Sequence, residues 1–125
     1  MKVTITGITC KATVSTVEST DNLFLLIQAD AGPPARFPLT GSVDMKVGSE
    51  MTLPDGGYAV NFDYGVVVTG YDLDSLLLKN LDSPDFLFNL SVNTTSQSGT
   101  QTLTFCKNQG EGTSEYVVTY EISSS

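Results

Sequence analysis

Apolar and alternating runs recur along this chain at roughly ten-residue spacing, each closed by a turn signal, and that rhythm is the signature of an antiparallel β-sandwich or barrel. The run "KVTITGITCKATV" sets Val3, Ile5, Ile8 and Cys10 on one face, with Gly7 where the alternation slips by one residue, as at a bulge. "NLFLLIQAD" is almost continuously apolar, which predicts a central strand covered on both faces. The "AGPP" after it ends that strand, because proline cannot donate to a sheet ladder.

Between Ala35 and Gly57 the pattern weakens into shorter strands broken at Pro38, Gly41 and Gly48, with a turn over Pro54 to Gly57. "YAVNFDY" puts Tyr58, Val60 and Phe62 on one face, and "GVVVTGYDLD" is a β-branched strand. "FLFNLSVNT" puts Phe86, Phe88, Leu90 and Val92 together, opposite Leu87 and Asn89. "TQTLTFCKN" and "EYVVTYEIS" bring the count to about eight strands. A chain of 125 residues, 40% hydrophobic, suits one core. The expectation is an all-β fold: a single antiparallel, Greek-key β-sandwich domain over 1–125, with a serine tail at 122–125 and little or no helix. The one helical candidate is "DSLLLKNL", where Asp74 or Ser75 could cap a turn.

Charge and residue types narrow the chemistry. Fourteen acidic residues against six basic ones leave a formal charge of −8, and Lys2, Lys11, Arg36, Lys46, Lys79 and Lys107 are scattered singly. Clustered cations are what neutralise nucleic-acid phosphates, so no nucleic-acid partner is expected. Histidine is absent, which removes the commonest general base and the usual catalytic zinc ligand. No G-x-S-x-G, phosphate-cradling glycine motif or acid/base carboxylate pair is present, so an enzyme is not expected. Cys10 and Cys106 read as two buried core thiols, with a disulfide open if their strands are neighbours in an oxidising compartment. The alternating start does not read as a signal peptide, which predicts a cytoplasmic protein or one exported without a cleavable leader.

The stretch "VVVTGYDLDSLLLKNLDSPDFLFNLSV" gathers four aspartates around a leucine run between two strands. An apolar strand, then Asp72-x-Asp74, a loop, Asp82-x-x-Asp85, an aromatic and another strand resembles the calcium- and phospholipid-binding β-sandwich domains of C-two type. Asp21, just before the second strand, sits where that family often carries a further acidic ligand. The resemblance implies a calcium ion held by Asp72, Asp74, Asp82, Asp85 and Asp21, and a membrane surface or a protein as partner. Independently of it, calcium takes six to eight oxygen ligands at about 2.3–2.6 Å, and strand alternation would turn Asp72 and Asp74 to one side. The same aspartates also suit solvated Asx turns.

Leu76, Leu77 and Leu78 have two readings. Exposed, they form an apolar contact for membrane or partner. Folded back, they plug the end of the sandwich. Three functions remain: a cation-assisted binding module acting through loop 72–87; a structural or assembly protein that self-associates, as a homo-oligomer or on a larger particle; and a carbohydrate-binding sandwich, for which the usual aromatic platform lacks tryptophan.

Overall fold

The computed structural model describes residues 1–13, 20–73, 85–109 and 112–124, with 85, 107–109, 112 and 113 described by backbone alone. The strands are β1 (Lys2–Ala12), β2 (Thr20–Ala29), β3 (Ala35–Phe37), β4 (Val43–Lys46), β5 (Tyr58–Asn61), β6 (Gly65–Asp72), β7 (Asp85–Asn93), β8 (Gly99–Gln109) and β9 (Gly112–Ser123). They form two antiparallel sheets. One runs β5-β1-β9-β8; the other runs β3-β2-β6-β7, with β4 also paired to β2. β3 pairs with Leu25–Ile27 and β4 with Thr20–Leu23, so the two short segments lie end to end along one edge of β2. The described segments thus fill the eight strand positions that the ten-residue rhythm predicts.

Side-chain alternation explains the core, and bulges explain its phase. Val3 and Ile5 share a parity that Ile8 and Cys10 do not, so a regular strand would bury one pair and expose the other. The register shifts between Ile5, opposite Tyr120, and Gly7, opposite Thr119. Thr6 is the extra residue, exposed, its Oγ1 donating to the Thr119 carbonyl at 3.2 Å. All four apolar side chains then reach the interior and are fully buried, against β9 residues such as Tyr116, Val118 and Ile122.

A second bulge corrects one expectation. Gly70 pairs with Phe88 but Tyr71 pairs with Phe86, leaving Leu87 as the extra residue. Phe86 therefore leaves the face it would share with Phe88, Leu90 and Val92, and meets Tyr71 edge-on at 6.3 Å. Leu87 and Phe88 are both 1% exposed. Gly70 makes this packing feasible, since a β-carbon there would strike the Phe88 ring. On the outer face of the same sheet, Phe24 stacks on Tyr71 at 5.5 Å and lies 4.3 Å under the Arg36 guanidinium. Arg36 also donates to the carbonyls of Pro38 and Gly41. The outer cover expected over β2 is thus a cation–π stack.

Two further expectations change. Cys10 is buried but Cys106 is exposed, and both are free thiols. Strand β9 lies between β1 and β8, so the cysteine strands are not neighbours and a disulfide between them has no short path. The supposed tail at 122–125 begins inside a strand: Ile122 is a core residue paired with Val3, and Ser123 pairs with Lys2. The helical candidate over 74–81 lies outside the described residues.

Candidate functional site

Strand register brings the acidic positions to one end of the sandwich. Asp72 ends β6 and pairs with Asp85, which begins β7. On its other side Asp72 opposes Leu23 of β2, with Asp21 two residues further along that strand. Three adjacent strands therefore each carry an aspartate at the same end of one sheet. In the other sheet that end holds the close of β1 and the start of β9, where Ala12 pairs with Glu115. The connections β1–β2, β6–β7 and β8–β9 all leave from here.

Asp21 and Asp72 are buried, at 1% and 5% exposed. A buried carboxylate is tolerated only with hydrogen-bond partners, because burial without them costs several kcal/mol or more. The Tyr116 hydroxyl donates to Asp21 Oδ2 at 2.6 Å, joining the two sheets across the core. Burial, reinforced by that bond and by the Asp21 charge, raises the Tyr116 phenol above its ordinary range. Asn22 N–H donates to Asp72 Oδ1 at 2.9 Å, and Leu73 N–H returns a bond to the Asn22 carbonyl at 2.8 Å, which clamps the end of β6 against the start of β2. Cys10 lies beside Tyr116, and burial pushes its thiol upward. Two residues from Tyr116 on the same strand, Ser114 is fully buried and its Oγ has no hydrogen-bond partner among the described residues.

Of the expected site residues, the structure places Asp21, Asp72 and the backbone of Asp85 together. Asp74, Asp82 and Leu76, Leu77 and Leu78 lie outside the described residues. Among the described residues no three acidic, histidine or cysteine side chains come together as a metal cluster. The donor set is nonetheless one of hard oxygens, the type that calcium takes and zinc or copper does not favour. Sequence reasoning missed Tyr116 and Val47. Tyr116 alternates inward in "EYVVTYEIS", so its burial was legible but its partner was not. Val47 is 64% exposed in the turn after β4, where Ser49 N–H donates to the Lys46 carbonyl at 2.8 Å. Gly48 N–H, donating to the Cys10 carbonyl at 2.8 Å, ties this turn to the same end.

No protein-family model matches the chain, and no curated protein does. Solved structures do. The C-two domain A of plant extended synaptotagmin 1 is similar with a TM-score of 0.53 and 9% identity, over 98% of this chain and 95% of that one. Human GIVD cytosolic phospholipase A2, solved with methyl gamma-linolenyl fluorophosphonate inhibitor and terbium chloride, is similar with a TM-score of 0.50 and 15% identity. That match takes in 98% of this chain but only 17% of the phospholipase. At such identities the likeness speaks for the fold alone: this chain, with its two antiparallel sheets, has a C-two-like β-sandwich fold.

Proposed function

We propose that this protein is a non-enzymatic binding module that docks on a membrane surface through the acidic end of its sandwich, with calcium held between Asp21, Asp72, Asp85 and the loop aspartates Asp74 and Asp82. The observation that carries this reading is the strand register that gives each of three adjacent strands an aspartate at one end of the sheet, Asp21, Asp72 and Asp85, beside the break in which the leucine segment falls. One structural neighbour was solved with terbium, another hard cation. The cation offsets repulsion between the carboxylates and between a chain of charge −8 and anionic lipid. Leu76, Leu77 and Leu78, with Val47, supply the apolar contact.

Metal-stripped protein is melted with and without millimolar calcium, with magnesium as control. A ligand at a hundred times its dissociation constant stabilises by about 2.7 kcal/mol, several degrees in a domain of this size. The shift is expected to vanish in the double variant Asp72→Asn plus Asp74→Asn. The amide introduced in place of the Asp72 carboxylate keeps an oxygen that can accept the Asn22 N–H bond, so the fold is retained while the charge is lost. Co-sedimentation with phosphatidylserine vesicles is expected with calcium and not with a chelator. A melting point indifferent to calcium, together with vesicle binding unmoved by chelation, would overturn the reading.

A further inference from the structure

We propose that the free edge of β8 is a docking edge for a second copy of this chain, paired antiparallel about a two-fold axis so that the four-stranded sheet β5-β1-β9-β8 continues into its counterpart. The proposal concerns a flank of the molecule separate from the acidic end and goes beyond the binding reading above.

The edges of the two sheets are unequal. On one flank β5 has four residues, and β3 and β4 have three and four, separated by Pro38 and Gly41. Short and interrupted edges offer little template for another strand. On the opposite flank β8 has eleven residues and, among the described residues, pairs with β9 alone. Its outward backbone groups form a long row open to another strand. From Gly99 to Cys106 the strand reads "GTQTLTFC", with no proline and no charge, the two devices that usually blunt an edge.

Leu103 supplies a second observation. It lies opposite Val118, which is fully buried, so register puts Leu103 on the core-facing side of the sheet. It is nevertheless 43% exposed. The interior is unfinished at this edge, and one more strand beside β8 would cover it. Thr100, Thr102 and Thr104 are exposed on the other face, where threonine–threonine pairs across strands are favourable.

Charge selects the occupant. Two copies each carrying −8 repel, and they meet at least cost through a neutral surface. Both strands of this flank are uncharged over eight consecutive residues, β8 from Gly99 to Cys106, before Lys107, and β7 from Phe86 to Asn93, after Asp85. The nearest carboxylates, Glu115 and Glu121, lie one strand further in, on β9 opposite Cys106 and Thr100, so the edge row itself gives a basic partner no charge to pair with. An identical strand finds the same uncharged row, and a two-fold axis lets each copy satisfy the other's backbone.

Sedimentation equilibrium of the full chain from about 5 to 500 µM, a window for micromolar association, tests the proposal. A dimer that strengthens with added salt is expected, because salt screens the repulsion between copies. Thr102→Lys/Thr104→Lys is expected to remain monomeric throughout that window with its circular-dichroism spectrum unchanged. Should that variant melt early, Thr102→Glu alone makes the same test with one exposed charge. A wild-type monomer at the highest concentration overturns the proposal, and so does a dimer that survives these substitutions.

Discussion

Strand β2 starts and ends beside an aspartate, and the two have opposite surroundings. Asp30, just past its end, is exposed and has a left-handed backbone at φ 56°, a conformation aspartate tolerates better than most residues. Its carboxylate accepts from the N–H groups of Asp63, Tyr64 and Gly65 at 2.6–3.2 Å, while its own N–H donates to the Gly65 carbonyl at 2.7 Å. Asp21, at the start, is buried and bonded to a tyrosine hydroxyl from the other sheet. Asp30 fastens one tight turn with donors that a loop always has to place somewhere. Asp21 puts negative charge inside the molecule, next to strand ends that carry more of it. The contrast separates an aspartate that closes a loop from one that a binding site could use, and side-chain type alone does not make that distinction.

The largest expected effect lies at the buried end. Tyr116→Phe keeps the ring but removes the donor to Asp21, and the loss of a hydrogen bond to a charged group costs about 1.5–3 kcal/mol. In a domain of this length that lowers the melting point by several degrees. Asp30→Ala, at an exposed turn, is expected to lower it less. Differential scanning calorimetry of both variants at neutral pH makes the comparison; an Asp30 variant that melts below the Tyr116 one would invert it.

This difference also marks how much the chain's letters disclose. The sandwich was legible because burial follows a period of two along each strand, and Gly7 even flagged the bulge that rephases β1. Phe86 was misplaced because the bulge opposite Gly70 and Tyr71 depends on a partner strand and leaves no mark within "FLFNLSV". Cys106 was misjudged for a related reason: edge position is a property of the sheet, and β8 becomes an edge only once β9 has paired with β1. In the acidic end, Asp21 and Asp72 were named from motif order. The hydroxyl of Tyr116 went unnoticed because its bond spans 95 residues of sequence.

Alkaline titration sharpens the contrast from the tyrosine side. Tyr116 is raised by burial, by its bond to Asp21 and by the Asp21 charge, and Tyr120 is raised by burial alone. Unfolded tyrosine ionises near pH 10. Between that value and the higher folded one the native state holds more protons than the unfolded state. The stability tied to Tyr116 is therefore complete below about pH 10 and is lost as pH rises beyond it. Ultraviolet difference absorbance should show Tyr116 ionising only together with unfolding, and that coupled step should be absent from Tyr116→Phe. Ionisation of all five tyrosines before any loss of circular dichroism would mean that the buried end is open to water.

The smallest effect belongs to the fastened turn, and its sign is opposite. Three backbone N–H groups, with Asp63 first, hold the Asp30 carboxyl below its ordinary range. In this case the unfolded state takes up its proton first as pH falls. The stability tied to the Asp30 charge is present above about pH 3.9, the ordinary aspartate value, and fades as pH drops through the lower folded one. Asp30→Asn retains a neutral acceptor and tolerance of the left-handed backbone, so it isolates the charge. Its melting point should lie slightly below wild type at neutral pH, and the two curves should meet at acid pH. A gap that stays constant into acid would show that the turn needs the shape of the side chain and not its charge.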